Sequence, residues 1–375
     1  MTSLENVFRN AYSAKRVLVT GHTGFKGSWL TLWLNRLGAE VTGFALAPDT
    51  HPSLFEAARV KSKCVHTVGD VRELGALTNV LDQCKPDYIF HMAAQPLVRL
   101  SYIQPLETLQ TNFMGTAHLL EAVRLRAKPC AVVVVTSDKC YENKEWIYGY
   151  REDEPMGGRD VYSMSKGATE LLVSSYRRSF FDPQHFSQHG IALATARAGN
   201  VIGGGDWASD RIVPDAVRAL TESRPVVLRN PTAIRPWQHV LEPIGGYLQL
   251  GARLGGSSEG HPQDFCESWN FGPPVGENHC VDELVEEFVK TWGAGSWTSE
   301  SRSPEAGHEA HTLTLSIEKA TSRLHWRPQW DFRKTIYQTA RWYRSFYSVT
   351  QPVSALDLCV EQIGEYTETL DGCHV

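Results

Sequence analysis

The sequence predicts an α/β protein with a Rossmann-type, doubly wound parallel sheet and a smaller, mixed C-terminal lobe. Short apolar runs rich in β-branched residues alternate with helical patterns through the first half, which is the order of repeated βαβ units. The run 131–135 is apolar without alternation, as expected for a strand that helices cover on both faces. A glycine-rich turn follows the first such run, where doubly wound folds begin their first helix.

The same patterns place the individual elements along the chain. The predicted strands are 17–20, 40–46, 88–93, 131–137 and 191–196. The predicted helices are 28–37, 111–126, 162–180 and 281–292.

A change in amino-acid composition after residue 200 suggests two lobes. The chain has 375 residues, more than one domain usually holds, and glycines, prolines and tryptophans become frequent beyond Asn200. We expect the sheet domain over 1–199, with segments near 200–203 and 268–292 returning to it. Residues 200–375 would form mainly the second lobe and the C-terminal helices.

Charge and hydropathy exclude several classes of partner. The formal charge of −5 and the pI near 6.3 leave no basic excess for a nucleic acid backbone. No stretch approaches the roughly 20 apolar residues of a membrane span, and the N-terminus lacks an apolar signal core. These features predict a cytoplasmic protein that binds neither nucleic acid nor membrane.

Cysteines and histidines give no metal signature. The eight cysteines contain no CxxC pair, so reduced thiols are expected. His308 and His311 are three residues apart in a segment flanked by proline and glycine, unlike the helical HExxH pattern of zinc hydrolases. We expect no metal.

The glycine-rich turn predicts a dinucleotide site. Gly21, Gly24 and Gly27 supply a tight turn, a backbone free of Cβ atoms and a helix N-terminus, which together suit a pyrophosphate. A chance glycine turn is the alternative, and the strand before and the helix after favour the cofactor site. The intervening side chains Thr23, Phe25 and Lys26 would share in binding.

Two later strand ends add candidate cofactor contacts. Asp70 and Val71 lie where a carboxylate could meet an adenine amino group, and Ala93 and Ala94 offer small residues beside which a cofactor could lie. Asp49 is the nearest acid for the adenosine ribose, and it could equally be a solvated loop aspartate. It favours NAD over NADP.

Tyr162 and Lys166 form the expected catalytic pair. They are four residues apart, so both project from one face of a helix. An ammonium beside the phenol lowers the tyrosine pKa and lets it remove a proton from a substrate hydroxyl. Ser137, at the carboxyl end of a predicted strand, is placed to hydrogen-bond that hydroxyl. Asp138 and Lys139 follow directly, either as an additional acid and base or as a solvated turn.

Together these residues resemble the extended short-chain dehydrogenase/reductase family, and more closely its nucleotide-sugar 4,6-dehydratases that act on CDP-glucose. The resemblance runs nearly end to end. It is carried by residues 21–29, 91–99, 136–141, 197–207 and 235–239.

The resemblance implies a redox-neutral reaction in which NAD oxidises C4 of a CDP-linked glucose, water leaves across C5 and C6, and the hydride returns to C6. It implies that Tyr162 is the base at C4, with Lys166 tuning it and Ser137 orienting the hydroxyl. Asp138 would protonate the departing C6 hydroxyl. Lys139 stands where the dTDP-glucose branch has glutamate, either as the C5 base or as a stabiliser of the enolate.

The resemblance also implies substrate contacts and an assembly. Arg235 would grip the substrate diphosphate with Asn200 and Arg211 as companions. Four weaker candidates could equally be structural: Gln95, Arg99, Gln238 and Asn270. Relatives pair through helices equivalent to 111–126 and 162–180, which predicts a homodimer or homotetramer, and their product serves deoxysugar and lipopolysaccharide O-antigen synthesis. A 4-epimerase or decarboxylase of nucleotide sugars and a non-catalytic binder are the alternatives.

Overall fold

The computed structural model describes residues 8, 10–257, 260–274, 276–300 and 312–372. Within them, seven parallel strands form one sheet in the order β3-β2-β1-β4-β5-β6-β11. These strands are β1 (Arg16–Thr20), β2 (Glu40–Ala45), β3 (Val65–Val68), β4 (Tyr88–His91), β5 (Cys130–Val135), β6 (Ile191–Ala198) and β11 (Ser268–Phe271).

Three two-stranded pairs accompany the main sheet: β7 with β10, β9 with β12, and β8 with β13. Their strands are β7 (Val201–Ile202), β8 (Val226–Leu228), β9 (Ile234–Arg235), β10 (Gln238–His239), β12 (His279–Cys280) and β13 (Trp297–Ser299). β7 and β10 pair in parallel, near the point where the chain beyond residue 200 begins.

The helices cover both faces of the main sheet. In chain order they are α1 (Phe25–Arg36), α2 (Leu54–Ala57), α3 (Leu74–Cys84), α4 (Val98–Ile103), α5 (Pro105–Leu109), α6 (Gly115–Arg126), α7 (Val161–Ser179), α8 (Phe186–His189), α9 (Ile212–Thr221), α10 (Leu241–Leu254), α11 (Val281–Trp292), α12 (Phe332–Phe346) and α13 (Ala355–Gly372). A π turn, Gln110–Met114, leads into α6.

Strand β5 shows why the central strands have no alternation of apolar and polar residues. All six of its residues are buried. Val133 and Val135 join the core formed with α1 and α10, whereas Val132 and Val134 join the core formed with α3, α6 and α7. Because each face meets a helical layer, both sets of side chains must be apolar.

The predicted fold class is confirmed, and the differences lie at the edges. β3 was not predicted, since it has no fully buried residue and its side chains give no apolar alternation. The predicted helix 111–126 divides into the π turn and α6. β11 pairs with β6, so the chain returns to the main sheet after residue 260.

Membrane and metal features can be stated for the described residues. Among them, no helix is long and apolar enough to cross a bilayer, and no three His, Cys, Asp or Glu side chains cluster as metal ligands. Their seven cysteines are free thiols. His308 and His311 lie outside the described residues.

Candidate active site

A cavity of about 1120 Å³ opens at the carboxyl ends of the parallel strands. This is where open α/β sheets bind their ligands. The chain beyond residue 200 supplies its opposite wall. Among the residues that line it are Phe25, Lys26, Arg99, Ser137, Asp138, Lys139, Tyr162, Asn200, Arg211 and Arg235.

The glycine turn has the geometry that a pyrophosphate requires. Gly21 has φ +77°, and a Cβ there would lie 2.7 Å from the backbone nitrogen of Ala93. A Cβ on Gly27 would lie 2.1 Å from the Gly21 carbonyl, so both positions exclude any side chain. At Gly24, by contrast, the nearest protein atom is that same carbonyl at 3.5 Å. Gly24 therefore presents bare backbone away from the protein interior.

The N-terminus of α1 is free for an anion. Gly24 caps it without a side-chain hydrogen bond, and its first turn contains no acidic residue. The unpaired N–H groups and the helix dipole favour a phosphate there. Thr23 donates to the carbonyl of Leu46 at 2.9 Å, which ties the turn to the end of β2.

The predicted adenine-side residues follow two strands of the main sheet, β3 and β4. Asp70 accepts from the guanidinium of Arg72, which holds the pKa of that carboxyl below its usual value against the opposing effect of burial. Val71 is buried and packs against Gly115. Ala94 follows Ala93 in the segment after β4. The Asp70 carboxylate thus already has a strong local partner.

Tyr162 and Lys166 project from α7 toward the end of β5. Burial raises the pKa of Tyr162 to about 12, while a hydrogen bond with Ser137 lowers it. Burial also lowers the pKa of Lys166 to about 8, helped by repulsion from Lys26. Tyrosine at that pKa is protonated at neutral pH, so positive charge near its oxygen is needed before it can act as a base.

Asp138 lies close enough to Tyr162 for its charge to raise the pKa of the phenol. It is 3% exposed, and its Oδ1 accepts from Ser137 Oγ at 2.9 Å. Its Oδ2 has no hydrogen-bond partner among the described residues, and it lies 2.9 Å from where a Cβ on Gly199 would be. Glycine at 199 therefore leaves room at the one free carboxylate oxygen. Lys139 continues the turn into the cavity wall.

Three cationic side chains lie close enough together to repel one another: Lys26, Lys166 and Arg211. Lys26 has its pKa lowered to about 8 by burial and by Arg211, against the attraction of Asp138. Lys166 faces Lys26, and Arg211 donates to Asp206 at 2.7 Å. Buried positive charges in excess of carboxylates are costly. A diphosphate group would relieve this excess, so the residues present fit a dinucleotide cofactor and a nucleotide substrate.

The predicted substrate contacts divide into two groups. Arg99, Asn200, Arg211 and Arg235 line the cavity, although Arg99 also pairs with Asp210 at 2.9 Å. The other three bond within the protein and are absent from the cavity wall: Gln95 with Thr108, Gln238 with the Phe271 carbonyl, and Asn270 with Tyr141 and the Tyr150 carbonyl.

Asn112 belongs to the site architecture and was not predicted. It lies in the π turn, where its side chain donates to Gln95 O and Ser165 Oγ and accepts from the Gln95 backbone N–H. Ser165 in turn donates to the Tyr162 carbonyl. Asn112 thus joins the segment after β4 to α7. Its sequence signal was slight, because one asparagine in a helical pattern is ordinary.

A glycine turn at a helix N-terminus, with a serine after a parallel strand and a tyrosine and a lysine one turn apart on the next long helix, defines the short-chain dehydrogenase/reductase class of nucleotide-dependent enzymes. The family model described as GDP-mannose 4,6 dehydratase matches residues 18–339. The chain is 50% identical over 339 residues to CDP-glucose 4,6-dehydratase of Salmonella typhimurium, covering 90% of this chain and 93% of that protein.

More distant relatives agree in fold. The chain is 27% identical to dTDP-glucose 4,6-dehydratase of Streptomyces antibioticus, covering 90% of this chain and 95% of that one. The structure superposes on dTDP-glucose 4,6-dehydratase of Bacillus anthracis, solved in complex with NAD, with a TM-score of 0.72 at 20% identity, covering 89% and 98% of the two chains. The chain belongs to the nucleotide-sugar 4,6-dehydratase family that the matching family model describes.

Proposed function

We propose that this chain is an NAD-dependent hydro-lyase that converts CDP-glucose to CDP-4-dehydro-6-deoxyglucose. The observation that carries the proposal is the placement of Asp138, with one unpartnered carboxylate oxygen, beside the hydrogen-bonded Ser137 and Tyr162. Its support from relatives is the 50% identity to a CDP-glucose 4,6-dehydratase across 90% of this chain.

The glycine turn and α7 would hold the cofactor. Bare backbone at Gly24 would meet the pyrophosphate, with Gly21, Gly27, Thr23, Phe25 and Lys26 around it, and Lys166 would bind the nicotinamide ribose. Asp70, Val71, Ala93 and Ala94 would line the adenine side. NAD bound there would supply a hydride acceptor.

The first step is proton removal at the C4 hydroxyl. Ser137 Oγ orients that hydroxyl, and the Tyr162 oxygen takes its proton once the hydrogen bond with Ser137 and nearby positive charge, that of Arg211 and of the Lys166 ammonium, have lowered the tyrosine pKa. Oxidation at C4 acidifies the C5 proton, which makes loss of the C6 hydroxyl feasible.

The second step is elimination across C5 and C6. Asp138 delivers a proton from Oδ2 to the departing C6 hydroxyl, because Oδ1 is occupied by Ser137. Lys139, next in the chain and on the cavity wall, either removes the C5 proton or stabilises the enolate charge while water takes that proton. The hydride taken from C4 would then return to C6 and a proton to C5, so that the cofactor would end oxidised as it began. Arg235 and Arg211, with Asn200 and Arg99, would hold the diphosphate and nucleoside on the far wall.

The nucleotide preference is tested by turnover of a substrate panel. CDP-, dTDP-, GDP- and UDP-hexoses are each incubated with purified protein and NAD, and the 4-keto product is measured by its absorbance in alkali. We expect product with CDP-glucose, at least about a hundredfold above the others in kcat/KM, a ratio that one set of nucleobase contacts can supply. Equal rates with all four, or none with CDP-glucose, would refute the assignment.

We also propose the setting of the enzyme. Residues 1–199 act as the NAD-binding domain, joined by 200–203 and 268–292, and 200–375 act mainly as the substrate lobe. The absence of a membrane-spanning helix among the described residues agrees with a cytoplasmic location, and the product would serve deoxysugars of the O-antigen. Exposed Leu106, Met164 and Leu171 on α5 and α7 support a homodimer or homotetramer.

A further inference from the structure

Glu170 is a buried carboxylate that the proposed reaction leaves without a role. It lies on α7 one turn beyond Lys166 and is 3% exposed. It accepts from Thr136 Oγ1 at 2.5 Å, from Thr195 Oγ1 at 2.7 Å and from Ser268 Oγ at 3.3 Å. These three donors come from the end of β5 and from β6 and β11. One side chain thus joins the catalytic helix to three adjacent strands.

Arg197 completes the contacts of Glu170. Its Nη2 donates to Glu170 Oε2 at 2.8 Å, and the two side chains are 3% and 2% exposed. Its Nη1 donates to Tyr141 Oη at 2.6 Å and to the Glu152 carbonyl at 3.1 Å, and its guanidinium lies 4.9 Å from the centre of the Tyr141 ring. Arg197 therefore also holds the segment that follows Asp138 and Lys139.

A buried ion pair is poor evidence of stabilisation by itself. Removing two charges from water costs about as much as their attraction returns, and an apolar pair of the same volume often does as well. An apolar pair, however, makes no directional hydrogen bonds. Glu170 and Arg197 fix the rotation of α7 against the end of β5, and so the distance between the Tyr162 and Ser137 oxygens.

The charge of Glu170 also acts on Lys166. Residues four apart on a helix face the same way, and the carboxylate attracts the ammonium that burial and Lys26 disfavour. The titratable groups whose charges interact with Lys166 come from four elements: Lys26 from the glycine turn, His91 from β4, Cys140 from the turn after β5, and Glu170 from α7. His91 is neutral, since burial lowers its pKa to about 3. Glu170 is the carboxylate among them.

We propose that Glu170, paired with Arg197, is a positioning residue that holds α7 in register with the end of β5 and keeps Lys166 in its ammonium form. This inference rests on the proposed function only for its kinetic readout. Glu170 does not touch the substrate and acts through Lys166 and Tyr162.

Glu170→Gln removes the charge and keeps an amide oxygen that can accept hydrogen bonds. Without the carboxylate, Lys166 loses its proton at lower pH, so the alkaline limb of the kcat profile should move down by about one pH unit, with about a tenfold loss of kcat above the wild-type limb. KM for CDP-glucose should stay within about twofold, since no substrate contact changes. An unmoved alkaline limb overturns the proposal.

Two controls separate the charge from packing. Thr195→Val removes one donor to Glu170 and leaves the charge, so stability should fall without a moved limb. Glu242→Gln neutralises another buried carboxylate, in the first turn of α10, which accepts from Tyr366 and from the Gln329 and Trp330 backbone. It should also leave the limb in place. A limb that moves equally in either control overturns the proposal.

A readout without turnover distinguishes this inference from the proposed function. Lysine labelled with ¹³C at Cε is titrated by NMR in the NAD-bound protein, and Lys166→Arg assigns the signal. The Lys166 pKa should be about one unit lower in Glu170→Gln, whether or not CDP-glucose is the substrate. An unchanged pKa overturns the inference. If Glu170→Gln does not fold, Glu170→Asp is tested instead. It keeps the charge, so the alkaline limb of its kcat profile should lie where the wild-type limb lies. A moved alkaline limb in that variant would also overturn the inference.

Discussion

At the scale of single residues, two neighbours in the chain divide the chemistry at the end of β5. Ser137 and Asp138 share a hydrogen bond of 2.9 Å, so the serine hydroxyl is held toward one carboxylate oxygen and the other oxygen stays free. An epimerase that only oxidises and reduces C4 needs no acid at C6. In the proposed reaction, the unpartnered Oδ2 is therefore the atom that would distinguish dehydration from epimerisation.

Asp138→Asn tests that assignment. An amide cannot give a proton to the C6 hydroxyl, so we expect 4-keto-6-deoxy product to form about 10²- to 10⁴-fold more slowly, the usual contribution of a general acid. Oxidation at C4 should persist, and hexose oxidised at C4 with its C6 hydroxyl retained should be trapped by borodeuteride and seen by mass spectrometry. Turnover as fast as in the wild type would favour an epimerase.

At the scale of elements, the glycine turn between β1 and α1 uses its glycines for two different reasons. Gly21 and Gly27 are required by the protein itself, since a Cβ at either would collide with backbone. Gly24 has φ −78° and open space beside it, so the fold does not require glycine there. Only a ligand approaching the backbone explains that position.

Gly24→Ala and Gly27→Ala should therefore fail in different ways. Alanine at 24 should leave the melting temperature within a few degrees of wild type, because it adds no backbone collision, and should weaken NAD binding by at least about tenfold, or about 1.4 kcal/mol. Alanine at 27 should destabilise the fold by more than about 2 kcal/mol. Calorimetry of unfolding and of NAD binding measures both. Unchanged NAD affinity in Gly24→Ala would argue against a pyrophosphate at this turn.

At the scale of the whole molecule, the surface of α5 and α7 is more apolar than a lone chain needs. Leu106 is 72% exposed and Leu171 is 61% exposed, on helices that pack against each other. Contiguous exposed apolar side chains mark association surfaces. A second copy of the chain on this surface would cover them.

Charge placed on that surface should break the assembly. Leu171→Arg combined with Leu106→Arg would desolvate two guanidinium groups without partners, so light scattering after gel filtration should show the mass of one chain instead of two or four. Val349→Arg, at a position 97% exposed in the turn after α12, is the matched control and should keep the wild-type mass. The same mass in the double variant would exclude this surface.

Local patterns predicted the parts of the fold and site that depend on residues close in sequence. The glycine turn, the central strands and the pair Tyr162 and Lys166 follow from turn chemistry, apolar runs and helical spacing, and these are properties of short segments. The edge strand β3 was not predicted, because a strand with neither face fully buried has no distinctive pattern of apolar residues. Asn112 escaped because its role depends on a π turn and a distant backbone.

The sequence by itself determined the strands and helices that make a parallel sheet, the glycine turn and the proposed catalytic turn 137–139, because each is recognised from apolar runs, turn residues and spacing within a short segment. Tertiary structure alone decided which polar residues are free to act. It turns Gln95, Gln238 and Asn270 toward hydroxyls and carbonyls of the protein, and it brings the charges of Lys26, Lys166 and Asp138 close enough to interact from three separate segments. Burial and charge at such a meeting point sum over the whole fold, and no single segment of sequence contains that sum.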